Sequence, residues 1–381
     1  MFDVRHDDHL RQRLDPTING GLSGGPAADG AVIGNSAANT ININNETGGV
    51  INGLVNTASL NGFAGRALVV QNGSGGVATI QNAGSIGMSI FGGGANTTAD
   101  APVVVAYGGG QVNFTNTGTI TGRIGFEAPG AAGVGNTFLN AGTINGSVYL
   151  GNSAAGNTFT AVSGSSVNNA GVATAGTMNT GAATINFAAA GIVDAGTGTN
   201  NTLVLQNSAT GPGSGTGGAV TTISASNYLD FQKLVVNSGT WNLQGNVVSG
   251  SATLNDGLVN FNSSGAFGSG AIQVSGGAIA ASTASLSLAN AVSLNAGNLT
   301  LQGNNSLTLT GVISGAGGLI INNSASIVTL NGINTYTGGT LISSGGLLLG
   351  NNAALGTGAL TVTGNATLDG TAALSVCPGR I

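Results

Sequence analysis

An internal repeat with a period near 22 residues constrains the fold of this 381-residue chain more than any other feature. Three segments share one pattern: VNFTNTGTITGRIGF at 112–126, NTFLNAGTINGSVYL at 136–150 and NTFTAVSGSSV at 157–167. Phe114, Phe138 and Phe159 occupy the same place in each copy. A period of this length is typical of one coil of a solenoid, because each repeat buries its apolar face against the next.

Composition indicates that the coils are built from strands. Glycine accounts for 70 residues, and charged residues are only 5% of the chain, against roughly 25% in an average globular protein. Glycine is costly inside helices, but here it alternates with short bursts of Val, Ile, Leu and Thr, as strands joined by tight turns require. We therefore predict an all-β parallel β-helix, a β-solenoid, with coils of about 20–24 residues.

Several function classes are excluded or left without support. The net charge is −5 and Lys233 is the one lysine, so the clustered cations that nucleic acid requires are missing. Cys377 has no second cysteine with which to form an internal disulfide. The sequence has no run of about 18 apolar residues and no signal-peptide pattern. We expect a chain that either is not exported or lacks its true beginning.

The second half repeats at long range and carries the most specific motif. Residues 254–278 align without a gap on residues 342–366. The segment 307–370 contains GVISGAGGL at 311–319, NTYTGGT at 334–340 and ALGTG at 354–358. These phrases closely resemble the passenger-associated transport repeat of bacterial autotransporters, also called the autotransporter-associated β-strand repeat. The resemblance is specific over some 65 residues. Over 17–208 it is limited to general sequence character, without the specific motifs.

The resemblance implies a right-handed parallel β-helix that is exported through an outer-membrane β-barrel translocator in a Gram-negative bacterium. It implies an adhesin or structural stalk, at the cell surface or secreted, with virulence as a common context and host or matrix molecules as partners. The barrel itself is absent from this chain. The repeat carries no catalytic, cofactor-binding or metal-binding residues; its role is in folding and export. The structural motif residues are Asn334, Thr335, Tyr336, Thr337, Gly338, Gly339, Thr340, Leu355, Gly356 and Gly358.

Five segments follow from these patterns. Residues 1–16 form a charged tail outside the solenoid, 17–208 form irregular coils with NxGxIxG-type repeats, and 209–220 form a Gly-rich loop or seam. Residues 221–373 form the autotransporter-repeat β-helix, and 374–381 are a tail that departs from the family. The chain then represents a passenger fragment, from a truncated or frameshifted gene. A pure spacer, a non-functional gene product and a passenger of the two-partner secretion type remain alternatives.

Three motifs offer other chemistry, each with a simpler explanation. HDDH at His6–His9 contains metal-ligand types but lies in the charged tail. GLSGG around Ser23 matches a nucleophile elbow, yet the histidine base it needs occurs only in that tail. Gly213–Gly218 matches GxGxxG, but no helical pattern follows, so we predict a flexible loop.

The enzymatic alternative is a polysaccharide-cleaving β-helix, which needs carboxylates clustered on adjacent coils. Outside the tail, no two acids lie within ten residues of each other and none are one coil apart at about 22 residues. Arg123 and Glu127 are interpreted as a surface pair, and Tyr336 and Trp241 as packing residues. Asparagine columns are interpreted as stacked turn amides. The sequence thus predicts no enzyme. The acids are Asp29, Glu46, Asp100, Glu127, Asp194, Asp230, Asp256 and Asp369.

Overall fold

The computed structural model describes residues 9–11, 17–19, 30–55, 66–90 and 99–371, and each regular element among them is a β-strand. The chain divides into two compact units. The first unit comprises Met1–Thr202 and Asn227–Asp230, and the second comprises Leu203–Ser226 and Phe231–Ile381. In each unit, successive coils stack through parallel strand pairs. The predicted all-β parallel β-helix is confirmed.

The strands of the first unit are short and follow one another at every turn of the coil. They are β1 His9–Arg11, β2 Thr17–Asn19, β3 Ala31–Gly34, β4 Thr40–Asn45, β5 Val50–Val55, β6 Leu68–Gln71, β7 Val77–Asn82, β8 Ser85–Ile90, β9 Pro102–Tyr107, β10 Gln111–Asn116, β11 Thr119–Phe126, β12 Thr137–Asn140, β13 Thr143–Tyr149, β14 Thr158–Val162, β15 Ser166–Asn168, β16 Gly176–Asn179, β17 Thr184–Phe187, β18 Val193–Asp194 and β21 Tyr228–Leu229.

The strands of the second unit are also short, apart from β33 and β34, which have 12 and 10 residues. They are β19 Thr202–Gln206, whose first residue belongs to the first unit, β20 Thr221–Ser224, β22 Lys233–Val236, β23 Thr240–Gln244, β24 Ser251–Leu254, β25 Leu258–Phe261, β26 Ile272–Val274, β27 Ala278–Ala281, β28 Leu286–Leu288, β29 Val292–Leu294, β30 Leu299–Gln302, β31 Leu307–Leu309, β32 Ile313–Gly315, β33 Leu319–Leu330, β34 Thr340–Leu349, β35 Leu360–Val362 and β36 Thr367–Gly370.

Alternating apolar and polar residues place the core of the first unit inside its coils. Strand β10, QVNFTN, buries every second residue, as a strand with one covered face should. Phe114 pairs in register with Phe138, and Phe138 with Phe159, as the repeat predicts. Their rings stack with centroids 4.7 and 5.6 Å apart. Full burial of each ring contributes roughly 1.5–3 kcal/mol from the hydrophobic effect.

A ladder of buried amides runs beside this aromatic column. The Nδ2 of Asn45 donates to the Oδ1 of Asn82 at 2.7 Å, Asn82 donates to Asn116 at 2.8 Å, and Asn116 donates to Asn140 at 2.9 Å. The Nδ2 of Asn140 closes the ladder on the carbonyl oxygen of Ser166. All four asparagines are buried. The interpretation of asparagine columns as stacked turn amides is confirmed here.

Coil length varies widely in the first unit. Hydrogen-bonded asparagines on adjacent coils are 37, 34, 24, 21 and 44 residues apart along the chain. The predicted length of about 20–24 holds only for the middle coils, because excursions lengthen the others. One excursion is an antiparallel hairpin, β16–β17, whose Met178, Ile185 and Phe187 pack against Val105.

The second unit is more regular. From Asn242 onward, side-chain hydrogen bonds across adjacent coils join residues 17 to 24 positions apart. Its core is mostly aliphatic, with Trp241 and Phe261 among the exceptions. Strand pairs such as β25 with β27 and β33 with β34 keep each apolar residue above its equivalent in the next coil. This unit supplies the frame for the motif at 334–358.

Candidate functional site

Asn334 opens the NTYTGGT motif and joins three successive coils. It is 5% exposed, and its Oδ1 accepts the backbone N–H of Ile313 at 2.8 Å. Its Nδ2 donates to the carbonyl oxygen of Ala354 in the following coil. The side chain therefore replaces ladder hydrogen bonds that the backbone turn cannot make, and it leaves neither amide atom unpaired.

Tyr336 fills the core beneath this turn. Its side chain is fully buried, as predicted, and its hydroxyl shares a 2.5 Å hydrogen bond with the Oγ1 of Thr340. Burial raises the pKa of the Tyr336 phenol, and the hydrogen bond with Thr340 opposes that rise. A neutral, hydrogen-bonded phenol is the form a packed interior favours.

Three glycines of the motif sit where adjacent coils touch backbone to backbone. A Cβ on Gly356 would overlap the carbonyl oxygen of Tyr336, one on Gly338 would overlap the backbone of Gly317, and one on Gly358 would overlap the amide of Gly339. Gly339 itself has φ +84°, a left-handed conformation that glycine adopts without strain. These positions need glycine because of contacts between coils.

The remaining motif residues lie toward the surface. Thr335 and Thr337 are exposed, and their backbone N–H groups donate to Ile313 and Gly315 of the preceding coil. Leu355 is half-buried. The degenerate copy at 254–278 keeps one of these positions, since Ala266 and Ala354, 88 residues apart in the sequence, are both fully buried. Chemically, the motif interlocks coils.

Most acids of the described residues hold loops in place. The Asp100 carboxylate accepts the backbone N–H groups of Val172 and Ala173 at 3.0 and 2.7 Å. Glu127 accepts the N–H of Gly108 at 2.6 Å. Arg123 bonds the carbonyl oxygens of Asp100 and Thr174 and lies 5.2 Å from the Phe187 ring centroid. Arg123 and Glu127 thus have separate partners and do not act as the expected surface pair.

The Gly-rich loop is folded onto the second unit. Its Gly215 N–H donates to the Asp256 carboxylate at 2.6 Å, and the Asn207 Nδ2 donates to the carbonyl oxygens of Ser214 and Gly217. Ser238 donates to the carbonyl oxygen of Pro212 at 2.5 Å. Consecutive glycine N–H groups can form an anion-binding nest. Here one of these N–H groups, that of Gly215, is already occupied by the chain's own Asp256.

Asp194 and Asp230 form a carboxyl pair that spacing did not reveal. Strand β18 lies between β13 and β21, so Asp194 is in register with Tyr149 on one side and Leu229 on the other. Asp230 directly follows Leu229, and its carboxyl group lies close enough to Asp194 to affect the pKa of that residue. They are missed in the sequence because the coil that separates them is much longer than 22 residues. Asp230 also has φ +62°, a left-handed conformation that Asp tolerates better than most residues.

Desolvation is the main electrostatic effect on the pair. Burial raises the pKa of Asp194, and the neighbouring Asp230 raises it further, while the Gly196 N–H opposes both. Burial likewise raises the pKa of Tyr149, whose hydroxyl donates to Asn152 at 2.7 Å and accepts from Asn186 at 3.1 Å. Burial and the neighbouring carboxylate both disfavour the charged form of Asp194.

No protein-family model, curated protein or solved structure matches this chain.

Other predicted features fall partly or wholly outside the described residues. Ser23, Cys377 and most of the HDDH segment lie outside them, as does most of the predicted tail at 1–16. Within that tail His9–Arg11 pair as β1 with β4. The described residues contain no group of three or more potential metal-ligating side chains. They also contain no helix long and apolar enough to cross a membrane. Trp241 is fully buried, with its Nε1 donating to Ser238, which fits a packing role.

Proposed function

We propose that this chain is part of an autotransporter-type passenger, a β-helical scaffold displayed at or released from the surface of a Gram-negative bacterium. The observation that carries the proposal is the engagement of Asn334, Tyr336 and Gly356 between coils, in the segment that resembles the transport repeat. Residues with that arrangement contribute to folding rather than to ligand chemistry. An outer-membrane β-barrel translocator is the expected export partner.

The repeat block from 254 to 370 would fold early and support the rest. A chain that crosses a narrow pore unfolded benefits from few charges and no internal disulfide, and repeated local pairing lets folding spread from a stable block. Limited proteolysis of the purified chain tests this role. We expect fragments covering 254–370 to persist longest, and equal digestion of both units would contradict it.

Adhesion is the activity we assign to the scaffold. Adjacent coils of the first unit align a column of uncharged polar residues in register: Asn42, Thr79, Asn113, Thr137 and Thr158. A repeated surface of this kind would bind host or matrix molecules weakly at each contact and through many contacts at once. Bacteria that display the chain should adhere to cells better than bacteria that display an unrelated β-helix of equal length.

A spacer is the second candidate, because the described surface of the second unit is almost free of charge. Lys233, Asp256 and Asp369 are its charged residues among those described. A spacer would hold another binding region away from the membrane and would itself be silent. Glycan-array and cell-binding measurements on the isolated chain separate the two functions: a signal supports adhesion, and silence in both supports the spacer. Genomic sequence downstream of the codon for Ile381 tests the autotransporter assignment through a barrel-coding region.

A further inference from the structure

The second unit presents a set of exposed asparagines in the tripeptide Asn-x-Ser/Thr. In each tripeptide the hydroxyl residue two positions later is also at least partly accessible. This tripeptide is the acceptor sequence for N-linked glycans. It arises readily in a chain rich in Asn, Ser and Thr, so the orientation and accessibility of each asparagine side chain decide whether it can react. The asparagines are Asn262, Asn298, Asn304, Asn322 and Asn365.

Four of these side chains are oriented by a neighbouring coil. The Oδ1 of Asn262 accepts the Gly245 N–H at 2.8 Å, and the Oδ1 of Asn298 accepts the Gly318 N–H at 2.9 Å. The Oδ1 atoms of Asn304 and Asn322 accept serine hydroxyls at 3.1 and 2.8 Å. Within the described part of the chain, the Nδ2 atoms of these four make no hydrogen bond. Each amide therefore points its oxygen at the protein and leaves its nitrogen available.

In the first unit Asn113, Asn145 and Asn200 also begin this tripeptide and are at least partly accessible, whereas Asn45 and Asn72 show the opposite arrangement. Asn45 and Asn72 are 1% and 3% exposed. The Nδ2 of Asn45 donates to Asn82, and the Nδ2 of Asn72 donates to the carbonyl oxygen of Asn39 at 3.0 Å. Both nitrogens are buried and already used in structural hydrogen bonds. Asn45 and Asn72 thus provide internal negative controls for any reaction at Asn-x-Ser/Thr.

The low surface charge of the second unit favours the attachment of a hydrophilic group such as a sugar. Its described part has three charged residues, whereas soluble surfaces usually carry about a quarter to a third charged residues. Low charge favours association and precipitation. Attached sugars would hydrate this surface without charge. Because the five asparagines sit on several different coils, the added hydration would be spread along the unit.

We propose that these five exposed asparagines are acceptor sites for an N-glycosyltransferase that uses a nucleoside-diphosphate hexose. In the transfer, a bond forms between the asparagine Nδ2 and C1 of the hexose. The bond between C1 and the diphosphate oxygen breaks, the nucleoside diphosphate leaves, and the amide proton passes to a base of the transferase. This modification does not depend on the adhesive role, since an adhesin or a spacer could carry it.

The test is peptide mass spectrometry of the full chain isolated from the bacterium that produces it. The expected result is hexose on the peptides that contain the five exposed asparagines and none on those that contain Asn45 or Asn72. Bare asparagines at all five positions would overturn the proposal. So would equal modification of Asn45 and Asn72, because the structure makes their nitrogens inaccessible.

Variants at Thr300 distinguish the acceptor sequence from incidental chemistry. Thr300→Val is nearly isosteric but removes the hydroxyl two residues after Asn298, whereas Thr300→Ser keeps it. Thr300→Val should abolish hexose at Asn298 and leave the other four sites unchanged, and Thr300→Ser should retain it. Hexose at Asn298 in the Thr300→Val chain would contradict the proposal. The four unaltered sites report that the variant still folds and meets the transferase.

Discussion

The two units reach the same parallel β-helix by different means. In the first, hydrogen-bonded side chains on neighbouring coils are 21 to 44 residues apart, yet strand register is kept. Buried amides and stacked phenylalanines fix that register, because each must meet its equivalent in the next coil. In the second, side-chain hydrogen bonds across coils mostly join residues 17 to 24 positions apart, with 31 between Gln206 and Asn237, and the core is mostly aliphatic. Glycines meet the backbone of a neighbouring coil in both units, as at Gly118 in the first and Gly356 in the second, so these contacts do not by themselves set coil length. The buried amides and stacked rings are what distinguish the first unit.

The aromatic column of the first unit should be the most sensitive feature. Phe138→Ala removes a ring that stacks on both Phe114 and Phe159 and leaves a cavity. We expect a loss of roughly 3–5 kcal/mol of unfolding free energy. Hydrogen exchange followed by mass spectrometry should show faster exchange across β10, β12 and β14. Phe138→Leu, which fills most of the space, is the matched control, and equal effects of the two substitutions would argue against cavity formation.

The amide ladder should come next. Asn116→Leu removes the acceptor for the Asn82 Nδ2 and the donor for the Asn140 Oδ1, both buried. Each stranded group costs about 1–3 kcal/mol. Because the Asn82 Nδ2 keeps a second acceptor in the carbonyl oxygen of Thr119, we expect a total loss in the lower part of that sum, roughly 2–4 kcal/mol. Asn242→Leu in the second unit removes a more accessible amide bond and should cost under about 1 kcal/mol. Urea denaturation of both variants measures the difference. Comparable losses would mean that burial does not set the value of these ladders.

The close glycine contacts of the second unit can be tested by adding a methyl group. Gly356→Ala places a methyl group against the Tyr336 carbonyl oxygen, which also accepts the Thr357 N–H at 2.8 Å. Forcing the coils apart should cost about 1–3 kcal/mol. A Cβ at Gly211 meets nothing within 4 Å, so Gly211→Ala is the control and should change stability little. Thermal unfolding of the two chains is the measurement, and a tolerated Gly356→Ala would refute the interlocking role.

The smallest effect should be the pH dependence of the Asp194–Asp230 pair. Because burial, reinforced by Asp230, raises the pKa of Asp194 in the folded chain, the pair stabilises the first unit most at acid pH. That contribution is lost as the pH rises through the raised pKa. Asp194→Asn can still accept the Gly196 N–H, and it should flatten this dependence by less than about 1 kcal/mol, since the pair is partly exposed.

A pH series of hydrogen exchange at 194–201 checks this last expectation. The exposed Asp369→Asn serves as the charge-matched control and should leave exchange at 194–201 unchanged. Stability of that segment that increases with pH in the native chain would reverse the assigned sign.

Repetition made the architecture predictable from the sequence. The spacing of Phe114, Phe138 and Phe159 correctly gave the strand register, because in-register stacking puts identical side chains above one another. The burial of Tyr336 also followed from alternation in its segment. The features that the sequence predicted correctly are those set by local, periodic patterns.

The sequence did not predict structural features that depend on segments inserted between the regular coils. The hairpin β16–β17 lies within a long insertion, and no periodic signal marks where it docks. Asp194 and Asp230 come together across such an insertion, so a search at one coil length passes over them. The predicted flexible loop at 213–218 is held by Asp256, a contact that requires knowing which coil lies beside it. The expected role in export and adhesion stays a prediction.

The amide ladder of the first unit has a consequence for how such a chain can change length. Asn45 begins the ladder as a donor, and Asn82, Asn116 and Asn140 each accept one hydrogen bond and donate the next, so all of the amides run in one direction. A duplicated coil that brings its own asparagine would insert between two existing ones and leave neither with a surplus group. Recombination between repeats can therefore add or delete whole coils at this position without creating an unsatisfied polar atom. At this position, the number of coils can change without a hydrogen-bonding penalty.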